Sequence, residues 1–467
     1  MTDFMSDDFM LTSKTARKLY TAVADLPIFD YHCHLNPQEI FDDRKFFNLT
    51  ELWLEGDHYK WRVMREAGVD ERLITGDAPA RDKFFAFASV LPEFIGNPVY
   101  HWAHMELKKY FGIVKPLSAD TAAEIWDETL AAMADGSYSA RRLIETSGVK
   151  AVVTTDDPLD DLDKHEKLAA AKLPFAVLPC FRCDNVVNID KDGFADYVHR
   201  LADKTGRKIN CVDDLLAALA ERLDVFKAHG AVAADCSFTD FRGGLLTPAA
   251  ADCALRKKMK GRGISADESA EYSFRVLVGL ARLFAERGMV MQIHTGVLRN
   301  RNSVLFGRLG ADCGIDSVAN TPDVEAAGRF FDTVEKEGGM PKTIVYTLNS
   351  SAYYPLATML GNFAGGSRGK LQLGAAWWFM DHRDGIREQL RIFAATGGLG
   401  YFNGMLTDSR SFVSYARHDY FRRVLCSLLA KWAEAGEYPN DDSLVRLAQN
   451  VSYFNAAGFF SAGDEKL

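Results

Sequence analysis

No run of about 18 apolar residues occurs in the 467-residue chain, so no membrane-spanning helix is expected. The first ten residues, MTDFMSDDFM, lack the basic start and apolar stretch of a secretory signal, and none is expected. Positive charge is short. Lys and Arg number 55 against 64 Asp and Glu, for a net charge of −9. A nucleic-acid partner needs a basic face, so none is expected. The basic stretch 256–262 (RKKMKGR) reads as a solvated helix end or loop. Cysteine is sparse, with eight residues: Cys33, Cys180, Cys183, Cys211, Cys236, Cys253, Cys313 and Cys426. Their scatter predicts reduced thiols and a cytoplasmic protein. Cys180 and Cys183 form a C-x-x-C with no second ligand pair at zinc spacing, so buried thiols are expected there. Internal repeats and low-complexity tracts are also missing.

The composition, 48% hydrophobic and 25% charged, is that of a folded globular chain. Near-continuous apolar runs stand at 27–31 (PIFDY), 151–155 (AVVTT), 174–180 (PFAVLPC) and 231–236 (AVAADC). Others follow at 289–294 (MVMQIH), 343–348 (TIVYTL), 371–379 (LQLGAAWWF) and 400–406 (GYFNGML). Runs without polar alternation suit parallel strands covered on both faces. Helical spacing lies between them, as at 213–229, 269–287 and 324–337. Eight strands separated by helices predict an α/β fold, a distorted (β/α)₈ TIM-like barrel. About 115 residues separate the first two strands, too many for one crossover. Amphipathic stretches at 81–91 and 121–134 make this a mostly helical insertion after the first strand. The division expected is a metal-dependent barrel, 1–39 and 146–467, with an insertion over 40–145 at the active-site mouth.

The sharpest chemical signal is Asp30-Tyr31-His32-Cys33-His34. In a strand, residues i and i+2 point the same way, so His32 and His34 can reach one divalent ion. Cys33 then points to the helix layer. His294 closes the fifth strand candidate, where a hydrogen-bonded core histidine is the alternative. Asp408 and Arg410 follow the last candidate. A carboxylate there can bind a metal or move a proton, against the simpler reading of a turn Asp and a surface Arg. His101, His104, His165, His199, His229 and His418 fall on apparent helices or turns and are not expected to be ligands.

Together these residues resemble the amidohydrolase superfamily, with H-x-H on strand one, His on strand five and Asp on strand eight. Two departures matter. Strand four ends Ala234-Asp235-Cys236, without a bridging lysine, and strand six is followed by Asn349-Ser350-Ser351, without a histidine. Both point to one metal at most and away from amide hydrolysis. The chain more closely resembles the uronate (glucuronate) isomerase family. The blocks that carry this are FDYHCHLNPQEI, GDHYKWRVMREAGV, VVTTDDP, QIHTGVLRNRN, WWF with D-x-x-D-G, and GMLTDSRSFVSYARHDYFRR. They span nearly the whole chain. The family's Arg-Pro-Asp after strand three is here Arg182-Cys183-Asp184.

The resemblance implies interconversion of D-glucuronate with D-fructuronate and of D-galacturonate with D-tagaturonate. The proton passes from C2 to C1 through a cis-enediol. It implies Asp408 as base, with Tyr59 beside it, Arg410 for charge at O1 or O2, and His58 in the catalytic group. One divalent ion, Zn²⁺ by preference, is expected on His32, His34 and Asp408, with His294 as a further candidate ligand, and no nucleotide cofactor. Asp235 and Arg299 match positions that line the site. Guanidinium forks suit the substrate carboxylate, and Arg182, Arg299 and Arg410 all follow strand ends, Arg182 leading as anchor. Trp61, Trp377 and Trp378 are candidate walls of the pocket, with core packing the simpler reading of each. Trp378 is carried to the substrate side. The expected partner is a small hexuronate, with no nucleic acid and no membrane, and the chain is expected to be a homo-oligomer such as a trimer. A mononuclear hydrolase or decarboxylase is the alternative enzyme. A non-catalytic carbohydrate-binding barrel is the alternative outside enzymes.

Overall fold

Short runs of Val, Ile and Ala become central strands when helices cover both faces. The computed structural model, which describes residues 3–461, arranges them in that way. In chain order the strands are β1 (Ile28–Asp30), β2 (Val149–Val153), β3 (Ala176–Leu178), β4 (Cys180–Arg182), β5 (Ala233–Ser237), β6 (Val290–Thr295), β7 (Val297–Leu298), β8 (Ser317–Val318), β9 (Thr343–Thr347) and β10 (Leu371–Leu373). One parallel sheet runs β1-β2-β3 and another β10-β9-β6-β5-β4. β3 and β4 are one strand broken at Pro179, which has no N–H for the ladder. The sheets join there: Asp156 N–H donates to the Cys180 carbonyl (3.0 Å) and Arg182 N–H to the Asp156 carbonyl (2.9 Å). The antiparallel pair β7-β8 is a separate ribbon above β6.

The strand expected over 400–406 does not form. Leu399–Tyr401 is a 3₁₀ turn, and the following residues extend without a ladder. Gly404 supplies a reason. Its φ is +75°, and a Cβ there would lie 2.2 Å from the Val451 carbonyl oxygen. This segment instead closes the circle through side chains. Thr407 donates from N–H and Oγ1 to the Asp30 carboxylate (2.9 and 2.6 Å), and Asn403 N–H donates to Gln372 Oε1 (3.2 Å). The run 371–379 is also shorter than expected, a strand only to Leu373, because Gly374 lies against the Tyr346 ring and the chain turns away. The architecture is α/β and is consistent with a distorted TIM-like barrel.

Between the strands, Phe29, Tyr31, Val153, Ile344 and Tyr346 pack together. Phe460, from the helix Asn455–Phe460, stacks on Tyr31 at 4.8 Å. Lys342, just before β9, donates to the Phe459 carbonyl (2.8 Å), so this helix covers the N-terminal end of the strands. The outer helices form where apolar spacing predicted them: Val212–Ala228, Ala266–Glu286 with its Ser265–Glu268 capping box, and Val324–Lys336. The basic stretch ends the helix Pro248–Met259. From β1 to β2 the chain passes through helices that include His58–Glu66, Ala80–Val90 and Pro98–Phe111. Their buried Trp53, Phe84 and Trp102 share one apolar cluster with the outer helices. Among the described residues no helix is long and apolar enough to cross a membrane.

The thiols need one correction. Cys183 and Cys236 are joined as a disulfide, with Cα atoms 5.4 Å apart. Arg182 pairs with Asp235 in the β4–β5 register, so the next residues face each other on adjacent strands. A separation of 53 residues in sequence carries no sign of this. The other six cysteines are free, Cys180 among them.

Candidate active site

The functional side chains leave from the C-terminal ends of strands. His32 and His34 follow β1, and backbone bonds fix them against the last segment. Asp408 N–H donates to the His32 carbonyl (3.1 Å) and His34 N–H to the Ser409 carbonyl (2.9 Å). Both imidazoles therefore converge on Asp408. His32 Nε2 lies 3.3 Å and His34 Nε2 3.1 Å from Asp408 Oδ1. Trp377 Nε1 donates to the other oxygen, Oδ2, at 2.6 Å. Asp408 has φ +46°, a left-handed conformation that Asp tolerates better than most residues. Cys33 is buried in the outer cluster, as the alternation of a strand requires.

His294, on β6, faces the same space. Its Nδ1 is 2.7 Å from Asp235 Oδ1 on β5, and its ring stacks on Tyr346 at 4.5 Å and lies 4.6 Å from His32. Two groups of ligand atoms result, each within 4.8 Å: His32, His34 and Asp408, and His32, Asp235 and His294. The remaining histidines belong to neither. His104, for example, is used by the Tyr100 carbonyl and the Leu117 N–H.

The three arginines reach one cleft with these histidines and His58, about 450 Å³ of space partly open to solvent. Each has a carboxylate that sequence reasoning missed. Arg182 Nη2 is 3.0 Å from Asp184, and its Nε is 3.7 Å from Asp235. Arg299 Nη1 is 3.0 Å from Asp316 and 3.8 Å from Asp312 Oδ1. Arg410 Nη2 is 2.9 Å from Asp312 Oδ2. Asp312 and Asp316 belong to the loop that leads into β8 of the ribbon, in the stretch LGADCGID, where only turn chemistry shows in the sequence. Arg62 of the helix His58–Glu66 holds that ribbon by donating to the Asp316 carbonyl (3.0 Å).

Asp57 caps the same helix and aims His58 and Tyr59 at the mouth. The two rings stack at 4.9 Å, and both meet Trp378 edge-on. Tyr59 shares a small cavity with Trp377, Trp378, Asp381 and Asp408. Behind it lies buried Arg417, 5.2 Å from the Tyr59 ring and 3.9 Å from that of Trp102, a support that sequence reasoning missed within the block 404–423. Trp61 points elsewhere. Its Nε1 donates to the Leu54 carbonyl (2.7 Å) and it packs against the apolar core.

Burial works against charge here, and hydrogen bonding decides where charge remains. Burial alone would raise Asp408, but the bonds with His32 and His34 hold it well below the usual carboxylate range. Asp235 is likewise lowered, since His294 and Arg182 outweigh its burial. Burial pushes His34 down to about 4, so its imidazole is neutral. His58 is lowered by burial and by Arg410, and Tyr59 is pushed well up by burial and by Asp408.

The donor set suits a divalent cation. His34 Nδ1 is engaged by Thr155 Oγ1 at 2.7 Å, which orients Nε2 as a ligand atom. His32 Nδ1 and His294 Nε2 are buried with no hydrogen-bond partner among the described residues. Imidazole nitrogens beside ionised carboxylates are what a first-row ion takes, and a buried orphan nitrogen is costly without a partner.

Fold and site thus define an α/β protein, consistent with a distorted TIM-like barrel, in which a histidine–carboxylate cluster able to hold a metal ion faces an arginine-bearing cleft. Residues 1–460 match the glucuronate isomerase family. A uronate isomerase of Caldanaerobacter subterraneus subsp. tengcongensis is 46% identical over 98% of this chain and 99% of its own. One from Halalkalibacterium halodurans is 45% identical, covering 98% of each. In structure, the uronate isomerase of Thermotoga maritima superposes with a TM-score of 0.93 at 32% identity, over 98% of this chain and all of the other. The glucuronate isomerase of Caulobacter crescentus gives 0.89 at 26% identity, over 99% and 97%. The chain belongs to the glucuronate isomerase family.

Proposed function

We propose that the protein is a uronate isomerase that interconverts D-glucuronate with D-fructuronate and D-galacturonate with D-tagaturonate. The observation that carries this, alongside family membership, is one cleft holding an ionised Asp408, a histidine cluster and three guanidinium groups. The family match leaves the hydrolase or decarboxylase alternative unfavoured. The insertion, 40–145, is read as the part that brings His58 and Tyr59 to the barrel mouth. Mostly free cysteines support a cytoplasmic location.

Asp408 accepts the proton from C2 of the open-chain aldose. The C2–H electron pair becomes the C1–C2 double bond, and charge moves to O1. O1 takes up a proton, and return of the C2 proton from Asp408 to C1, with loss of the O2 proton, leaves the ketone at C2, so that overall a proton also passes from O2 to O1. A carboxylate held so acidic is a weak base, so the acidity of C2 must come from stabilising the enediolate. Tyr59, kept protonated by burial, serves as proton donor to an oxygen rather than as base. Arg182, beside Asp235 and His294, faces the reacting end. Arg410 shares one carboxylate with Arg299, which favours the pair as the seat of the substrate carboxylate. His32, His34 and Asp408, with His294 close by, would hold the ion. We take it to be one Zn²⁺, which when bound polarises a sugar oxygen or bound water.

The test is turnover of D-glucuronate by the wild type and by Asp408→Asn. The variant is expected to lose several orders of magnitude in kcat. Near-normal turnover removes Asp408 from the mechanism. Elemental analysis is expected to give about one divalent ion per chain, and two tightly held ions contradict the single-ion reading.

A further inference from the structure

Asp312 and Asp316 stand four residues apart in the loop that leads into β8, yet they are different kinds of carboxylate. The Asp316 side chain is 3% exposed and accepts from the Asn300 N–H (2.7 Å) as well as from Arg299, which makes it part of the ribbon's framework. The Asp312 side chain is 49% exposed. Its two oxygens go to two guanidinium groups, Oδ2 to Arg410 at 2.9 Å and Oδ1 to Arg299 at 3.8 Å. One carboxylate spanning two arginines in the cleft has the shape and charge of an anionic ligand in its seat.

The flanking backbone is tied down while this side chain is not. Arg65 donates to the Cys313 carbonyl, and Arg62 to the carbonyls of Gly314 (3.4 Å) and Asp316 (3.0 Å). Asp312 can therefore give up its arginines by a side-chain rotation, without release of the ribbon. Its own φ of +57° is left-handed, so the residue is posed for this contact at some conformational cost.

We propose that Asp312 is a resident stand-in for the substrate carboxylate: it pairs with Arg410 and Arg299 and is displaced when a sugar acid binds. This rests on the uronate reading, in which the displacing group is the carboxylate of a hexuronate. Asp312 keeps the two guanidinium groups apart and paired before binding, and it sets a threshold. A neutral hexose has nothing to exchange for the lost ion pair, whereas a sugar acid replaces it.

Asp312→Asn keeps the size of the side chain and removes its charge. The assay is calorimetric binding of D-glucarate, a sugar diacid with no aldehyde to isomerise, to the full chain, beside steady-state kinetics with D-glucuronate. A half-exposed ion pair costs the incoming anion little, so Kd for glucarate and KM for glucuronate are expected to fall about two- to fivefold. Asp312→Glu restores the charge and is expected to return Kd toward the wild-type value. A Kd in Asp312→Asn that is unchanged or weaker overturns the proposal, as does absence of glucarate binding to both proteins. If the wild type binds glucarate but does not turn over glucuronate, the isomerase reading fails while the Kd comparison still decides the role of Asp312.

Discussion

Replacing Trp377 with phenylalanine isolates a single bond that holds Asp408, the proposed base. The indole Nε1 donates to Asp408 Oδ2 at 2.6 Å, and the ring packs 4.7 Å from His294. Phenylalanine keeps an aromatic face against His294 and removes the donor. Asp408 then retains its two histidine contacts on Oδ1, but nothing holds Oδ2, and the carboxylate is free to turn. A hydrogen bond to an ionised group is worth about 1.5–3 kcal/mol. At about 1.4 kcal/mol per tenfold, loss of that amount from the transition state lowers kcat by about 10- to 100-fold. The arginines proposed to seat the carboxylate are untouched, so KM should stay within about threefold. The assay is steady-state turnover of D-glucuronate, with circular dichroism and metal content as controls. A kcat within about twofold of wild type, on a folded and metal-loaded variant, refutes the idea that this bond positions Asp408.

Thr155→Val removes the partner of His34 Nδ1 (2.7 Å) and should weaken metal binding about 10- to 100-fold in chelator competition; unchanged affinity removes Thr155 from that role. Glu106 is fully buried, and burial raises it to about 7 from 4.5. The folded state therefore binds this proton more tightly than the unfolded state does. That stabilisation is complete below about 4.5 and is lost as pH rises through about 7. Glu106→Gln should thus gain stability relative to wild type between pH 5 and 8, by at most about 3 kcal/mol, since the Lys60 ammonium 3.7 Å away offsets part of it. Urea melts that give the same difference at both pH values contradict this. Phe460→Ala should cost about 3–5 kcal/mol of stability through the cavity left against Tyr31, and a loss below about 1 kcal/mol would show that the C-terminal helix does not seal the barrel.

What the sequence made legible was what repeats with the period of a strand or helix. His32 and His34 were readable because alternation places i and i+2 on one side, and Asp408 because it follows an apolar run. The last run itself misled. Apolar content marks burial, and residues 402–406 are buried, but Gly404 turns left-handed where a ladder would require extended backbone. Partners across long separations left no mark. Asp312 reaches Arg410 across 98 residues, and Cys183 reaches Cys236 across 53. The arginines were visible as residues after strand ends, but the carboxylates of Arg299 and Arg410, Asp316 and Asp312, depend on how a loop folds back, which neither propensity nor period encodes. Buried Arg417 behind Tyr59 reads in sequence as an ordinary helical arginine.

The central claim is that this cleft isomerises sugars bearing a carboxylate. The direct measurement is a paired assay of ketose formation from D-glucuronate and from D-glucose by the purified, metal-loaded protein. Without the carboxylate, the sugar forgoes its charge-assisted bonds to the guanidinium groups of the cleft, worth about 1.5–3 kcal/mol each. Fructuronate is expected from glucuronate, with a kcat/KM for glucose lower by at least about a hundredfold. Comparable rates on the two sugars, or no ketose from either D-glucuronate or D-galacturonate, would contradict the claim.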